Sequence, residues 1–109
     1  MAERPNVLFT VLDSARSMNI GCYGGPDGVT PNIDALADDG VQFNRTVANA
    51  PWTLPSHASM FTGTQPTIHG AHSWHQALNE EQPTIADILT EAGYETIAVS
   101  NNGWLSQHT

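Results

Sequence analysis

The sequence predicts an α/β fold with a mainly parallel sheet and flanking helices. Short apolar segments rich in β-branched residues alternate with helical segments, in the order strand, helix, strand, helix, helix, strand. Some of the apolar segments are nearly continuous, which is typical of strands that are covered on both faces. A length of 109 residues is enough for one small domain.

Three segments have strand patterns. Residues 6–12 (NVLFTVL) form an apolar run that is too short for a typical helix and predict a buried parallel strand. Residues 41–47 (VQFNRTV) alternate apolar and polar side chains, which predicts a half-buried strand. Residues 96–100 (TIAVS) predict a second buried strand, followed by a polar turn.

Two helices have clear boundary signals. Thr30 precedes a proline and an apolar stripe, so it is expected to cap a helix that ends at Gly40. Thr84 and Asp87 have the spacing of a capping box, and Gly93 is expected to close the helix that they begin.

A further helix is expected within residues 50–63 (APWTLPSHASMFTG). Pro55 suits a first helical turn, and Gly63 suits a left-handed end. Thr53 therefore lies at a helix N-terminus, where backbone N–H groups and the helix dipole favour an oxyanion. Thr53 is either a simple cap or a nucleophilic hydroxyl for a phosphate or sulfate ester.

Asp13 directly follows the first predicted strand. Ligands of open α/β sheets bind at the carboxyl ends of strands, so Asp13 is a candidate metal ligand. An aspartate that caps the next turn explains the position equally well.

Three histidines occur at three-residue spacing in a segment predicted as a loop: His69, His72 and His75. They are either a zinc site or ordinary loop histidines. The second alternative is open because no Cys or carboxylate, the usual further zinc ligands, lies between them. Pro66 and Gly70 argue against a regular helix there.

The composition is strongly acidic, with 11 Asp and Glu against three Arg and a net charge of −8. This excludes nucleic acid as an expected partner, since few basic groups could neutralise phosphates. The acidic surface suggests a halophilic source. No apolar leader or long apolar run is present, so we expect no membrane segment and a cytoplasmic location. The single cysteine, Cys22, excludes an internal disulfide and is expected to be a small buried apolar residue.

Five blocks of the sequence together resemble the N-terminal part of the sulfatase family, within the alkaline-phosphatase-like superfamily. They are RPNVLFTVLDSAR, GCYG, TPNIDALADDGVQFNRTVA, APWTLPSHASMFTGTQPTIHG and TIADILTEAGYETIAVSNN, in that order. The resemblance implies a partial sulfatase fold over residues 1–109. It also implies a metal-dependent hydrolase of sulfuric or phosphoric esters, whose divalent ion is Ca, Mg, Mn or Zn.

The resemblance also assigns site residues. Asp13 matches the metal-ligating aspartate at the end of the first strand of the family. Thr53 matches the nucleophile, which also contacts the metal. His57 stands where sulfatases have the catalytic Arg of their Cys/Ser-x-Pro-x-Arg pattern.

This sequence departs from the family pattern in three ways. Thr53 should not be converted to formylglycine, so it resembles superfamily members that use Thr directly. Ser14 stands where many sulfatases have a second acidic ligand and is a weaker one. The remaining ligands of the family lie beyond position 109, so we expect an incomplete site with little turnover by this chain alone.

An incomplete sheet would expose apolar surface, which predicts a homo-oligomer. The alternative to an ester hydrolase is a non-catalytic, oligomerising structural or interaction module that has kept the sulfatase fold.

Overall fold

A computed structural model describes residues 4–74 and 77–105. Four α-helices lie in this part of the chain: α1 (Pro31–Asp39), α2 (Thr53–Thr62), α3 (Pro66–His69) and α4 (Ile85–Glu91). Short 3-10 helices cover Ser17–Asn19, Gly21–Tyr23 and Gly103–Leu105. The chain divides into two compact units, Met1–Thr46 and Val47–Thr109. Among the described residues, no helix has the length and apolar character needed to span a membrane.

The prediction of an α/β fold with a mainly parallel sheet is wrong for the described residues, because none of them forms a β-strand. All three segments predicted as strands are irregular, and residues predicted to be buried are exposed, such as Leu8 (90%) and Val99 (96%). Apolar, β-branched side chains fit well on a pleated sheet surface that other residues cover. A strand also needs a neighbour that accepts its backbone hydrogen bonds, and neither unit pairs these segments.

The helix expected after Thr30 is confirmed as α1 in the first unit. Thr30 occupies the N-cap position, but its side chain makes no bond to the backbone N–H groups of the first turn. Its hydroxyl instead donates to Asp34 Oδ1 (3.1 Å) and accepts from the Gly21 N–H (2.8 Å). Gly40 follows the last helical residue without the left-handed φ that the sequence suggested.

The GCYG segment packs against the start of α1. The Cys22 N–H donates to Asp34 Oδ1 at 2.7 Å. A Cβ at Gly21 would overlap the Asp34 carboxylate, so a larger residue would have to displace the Asp34 side chain from its bonds to Thr30 and Cys22. The Gln42 side-chain amide donates to the Cys22 carbonyl at 2.8 Å, which ties the same segment to the chain after α1.

The second unit contains all the buried residues of the described chain. One face of α2 is buried at Pro55, His57, Ala58 and Ser59, and α2 packs against α3, α4 and Gly103–Leu105. His69 and Ala71 complete this small core.

Both predicted boundaries of α4 are confirmed. The Thr84 N–H donates to Asp87 Oδ2 (2.8 Å), and the Asp87 N–H donates to Thr84 Oγ1 (3.3 Å), which is a reciprocal capping box. At the other end, Gly93 has a φ of 85° and donates to Thr90, while Tyr94 donates to Leu89. These two bonds are a Schellman motif, which satisfies the last carbonyls of the helix.

Candidate functional site

Thr53 is the first residue of α2, at the position that the sequence predicted for a nucleophile. Trp52 is extended (φ −147°, ψ 169°) and is the N-cap residue, so the helix begins two residues before Pro55. Thr53 is half-buried, and the helix ends at Gly63 with a φ of 68°. Thr53 thus lies in the first turn of α2, at the positive end of the helix dipole, which favours an anionic ester oxygen; Pro55 in the same turn has no N–H to contribute.

His57 lies one turn after Thr53 and is bonded to it. Its Nδ1 is 2.9 Å from the Thr53 carbonyl oxygen, and only 5% of the residue is exposed. Because a carbonyl only accepts, Nδ1 carries a proton, and Nε2 is the lone-pair nitrogen of the neutral ring. The Phe61 ring lies 6.1 Å from the imidazole, centroid to centroid.

Asp13 lies in a strained turn of the first unit. The Ala15 N–H donates to the Leu12 carbonyl at 3.3 Å, which closes a turn with Asp13 and Ser14 at its centre. Ser14 has a φ of 62° and is the only non-glycine residue with positive φ in the described chain. Its hydroxyl is 3.4 Å from Asp13 Oδ1. Such strain costs about 1–3 kcal/mol and is frequent at functional sites.

The three predicted site residues are distributed over both units. Thr53 and His57 are together in the second unit, whereas Asp13 belongs to the first. The convergence of Asp13 and Thr53 on one cation therefore stays a prediction. No group of three His, Cys, Asp or Glu side chains in the described residues could hold a metal ion. Asp13 and Thr53 supply oxygen ligands of the right type, but two ligands fill only part of the shell of Ca²⁺ or Mg²⁺.

His69 has a structural role that the sequence did not reveal. It is fully buried at the end of α3, and its Nδ1 accepts from the Ala71 N–H at 3.1 Å. The ring proton must then be on Nε2, which lies 3.0 Å from Ser59 Oγ. Nε2 therefore donates to the serine, the opposite of what a general base would do. Burial lowers the pKa of His69, and the Pro55 carbonyl opposes this only in part.

The hydrogen bonds of His69 leave the alternative zinc site without one of its three candidate ligands. Both ring nitrogens of His69 are engaged within the second unit. His72 is exposed, and His75 lies outside the described residues. The expectation that residues 64–81 are a loop is also corrected, because Pro66–His69 forms the short helix α3, ended by Gly70 at a φ of 77°.

Cys22 is half-buried and keeps its proton. Desolvation raises the pKa of its thiol, and the neighbouring Asp34 carboxylate raises it further. A thiol with a raised pKa is a poor nucleophile and a poor metal ligand. This agrees with the expectation of an unreactive cysteine, although the residue is less buried than the sequence suggested.

All three tryptophans of the chain meet beside the start of α2, which sequence reasoning missed. Trp52 stacks on Trp74, with ring centroids 5.2 Å apart and planes at 22°. Trp104 packs edge-on against both, at 5.5 Å from Trp52 and 5.1 Å from Trp74. We call these three residues the tryptophan cluster. Trp52 directly precedes Thr53, so the cluster adjoins the candidate nucleophile.

Comparison with known proteins connects this chain to a family. The family model described as Sulfatase matches residues 5–109. Human steryl-sulfatase is 33% identical over 109 residues, which cover 90% of this chain and 19% of that protein. Human arylsulfatase D is 36% identical over 106 residues, with 87% and 18% covered. The uncharacterized sulfatase YidJ of Escherichia coli is 34% identical over 94 residues, with 86% and 19% covered.

The chain thus spans about a fifth of the length of these curated relatives. No solved structure matches it.

Proposed function

Because the chain belongs to the sulfatase family, we propose that it carries the nucleophile of a metal-dependent hydrolase of sulfuric or phosphoric esters. The observation that carries the proposal is the position of Thr53 as the first residue of α2, at the positive end of the helix dipole. Steryl-sulfatase and the arylsulfatases are named for sulfate esters, and we extend that substrate class to this chain. A phosphate ester has the same tetrahedral shape and makes the same demands on the site.

The reaction proceeds by two displacements. The Thr53 hydroxyl oxygen attacks the sulfur or phosphorus atom, the ester bond to the alcohol breaks, and the alcohol leaves with a proton. Water then displaces Thr53 and releases sulfate or phosphate. The N–H groups at the start of α2 stabilise the charge that develops on the ester oxygens.

His57 is assigned to the same reaction. Its Nδ1–H is committed to the Thr53 carbonyl, which holds the ring against the first turn of α2. Nε2 is therefore the ring atom that exchanges a proton with the reacting groups. This assignment replaces the arginine of the usual sulfatase pattern with an imidazole, which has one nitrogen that donates and one that accepts.

A divalent ion is part of the proposal, because sulfatases generally use one. Asp13 and Thr53 are proposed as two of its oxygen ligands, with water or groups outside the described residues in the other positions. The strained turn at Ser14 supports a functional role for Asp13. When bound, the ion would lower the pKa of the hydroxyl and neutralise charge on the ester oxygens.

The test uses 4-nitrophenyl sulfate and 4-nitrophenyl phosphate with added Mn²⁺, Ca²⁺, Mg²⁺ or Zn²⁺. We expect slow, metal-dependent release of nitrophenol, because the described residues complete only part of a metal shell. Thr53→Ala should lower the rate at least about a hundredfold, whereas Thr53→Ser keeps a hydroxyl and should retain part of it. Thr67→Ala, at an exposed threonine of α3, is the matched control.

Equal rates for Thr53→Ala and the unmodified chain would overturn the assignment of the nucleophile. A chain without any metal-dependent turnover would favour the alternative of a non-catalytic module with the same fold.

We also propose that the chain associates with itself. Large apolar side chains are exposed in both units, including Leu8 (90%), Val41 (80%) and Ile97 (82%). Surfaces of this kind favour association in water. Light scattering at micromolar concentration should give a dimer or a larger species, and a monomer mass would reject the proposal.

A further inference from the structure

The tryptophan cluster does not act as a hydrophobic core. Trp74 is 70% exposed and Trp104 is 41% exposed, although each contacts the other two rings. The buried residues of this unit lie elsewhere, at the contact between α2 and His69. Trp52 and Trp74 cover one face of each other, so the surface that the cluster leaves open to solvent belongs mainly to Trp74 and Trp104.

The charge of the unit restricts what those faces can bind. Residues 47–109 contain no Lys or Arg, and their acidic residues are Glu80, Glu81, Asp87, Glu91 and Glu95. The resulting field is negative, so it attracts cations and repels anions. Indole is also the best side chain for cation–π contact, because the face of the ring carries negative charge.

We propose that the tryptophan cluster binds a quaternary ammonium group. Such a cation is bulky and poorly hydrated, and it presents apolar methyl groups to the indole faces. The solvent-exposed face of Trp74 is the main contact surface, and the stacked Trp52 and edge-on Trp104 hold it in place.

The position of the cluster suggests which molecule carries this group. Trp52 is bonded directly to Thr53, the proposed nucleophile. An ester held with its sulfate or phosphate at Thr53 would place a short alcohol part beside the cluster. This assignment of the molecule rests on the proposed function. The substrate would be a zwitterionic ester, with its sulfate or phosphate at Thr53 and its ammonium group on the alcohol part.

Binding is tested first without any reaction. Tetramethylammonium chloride is titrated at constant ionic strength while the three indole N–H resonances are followed by NMR. We expect saturable shifts of all three signals, and no comparable shifts with neopentyl alcohol, a neutral molecule of similar shape. Trp74→Leu should weaken binding by about 3-fold to 30-fold, and Trp74→Phe should weaken it less.

Phe43→Leu is the matched control, because it removes an exposed aromatic ring of the other unit. It should leave the affinity for tetramethylammonium unchanged. Far-UV circular dichroism confirms that each variant keeps its helices. Shifts that do not saturate, or that neopentyl alcohol reproduces, would overturn the cation site.

A second measurement separates this inference from the proposed function. Hydrolysis of 2-(trimethylammonio)ethyl sulfate is compared with that of 3,3-dimethylbutyl sulfate, in which carbon replaces nitrogen. We expect kcat/KM to favour the ammonium ester by about 3-fold to 30-fold, and Trp74→Leu to abolish the preference. Equal hydrolysis of both esters would overturn the assignment of the ammonium to the alcohol side and leave the proposed function standing. Binding of tetramethylammonium without hydrolysis of either ester would overturn the proposed function and leave the cation site standing.

Discussion

The buried hydrogen bond between Ser59 and His69 makes a sharp prediction about stability. Ser59→Ala removes the oxygen that lies 3.0 Å from His69 Nε2 and leaves a buried N–H without that partner. His69 is fully buried and Ser59 is only 5% exposed, so replacement of the lost hydroxyl by water requires a rearrangement of the core. Leaving a buried donor unsatisfied costs about 1–3 kcal/mol, and the Pro55 carbonyl that also acts on the His69 ring places the expected cost in the lower part of that range.

Ser56→Ala is the matched control, because Ser56 lies on the same helix and is half-buried. Both changes gain the higher helix propensity of alanine, up to about 0.5 kcal/mol, which the comparison cancels. The free energy of unfolding of Ser59→Ala should therefore be about 1–3 kcal/mol below that of Ser56→Ala. For a unit of this size, we expect the midpoint of thermal unfolding to fall by at least about 4 °C.

The assay is urea unfolding followed by far-UV circular dichroism, with a double-mutant cycle that adds His69→Gln. The cycle should give a coupling free energy between the two positions of about 0.5–3 kcal/mol. A difference between Ser59→Ala and Ser56→Ala below about 0.5 kcal/mol, the range of ordinary surface changes, would refute the reasoning.

Three more predictions concern stability. Burial lowers the pKa of His69 in the folded chain, so the unfolded chain binds a proton first as the pH falls through about 6.5. The free energy of unfolding should therefore decrease below that pH, and His69→Gln should make this decrease smaller. Thr84→Ala removes one side of the capping box and should cost about 0.5–2 kcal/mol in urea unfolding, whereas Thr67→Ala should cost little. The net charge of −8 should make the thermal midpoint higher in molar salt than in low salt, and equal midpoints would contradict the halophilic interpretation.

The helices could be predicted because their signals are local. Thr84, Asp87 and Gly93 specify both ends of α4 within ten residues of sequence, and each of their contacts forms as expected. Proline and glycine likewise bounded α1 and α2 to within a few residues. Such signals depend only on neighbouring residues, so the rest of the chain does not alter them.

The prediction of the sheet was wrong because strand pairing depends on residues that are distant in the sequence. The run at residues 6–12 contains suitable side chains, but a strand also needs a partner at a distance that no local pattern specifies. The described residues provide neither the partner nor the cover on two faces that an apolar parallel strand requires.

In the candidate site too, the local features could be predicted from the sequence and the long-range contacts could not. The position of Thr53 at the start of a helix follows from the local sequence around Pro55 and Gly63. The tryptophan cluster joins positions 52, 74 and 104, and no periodicity or spacing connects them. The Ser59–His69 bond similarly depends on how α3 packs on α2, which the histidine spacing obscured by suggesting a metal site.

We propose that Asp13 and Thr53 bind the same divalent ion, and paramagnetic broadening by Mn²⁺ tests this proposal most directly. At substoichiometric Mn²⁺, the amide resonances of Asp13 and Thr53 should broaden together and before those of the rest of the chain. Asp13→Asn should abolish the broadening at Thr53, whereas Asp38→Asn, at an exposed carboxylate of α1, should leave it unchanged. Broadening at Asp13 alone, or broadening at Thr53 that persists in Asp13→Asn, would contradict a shared metal site.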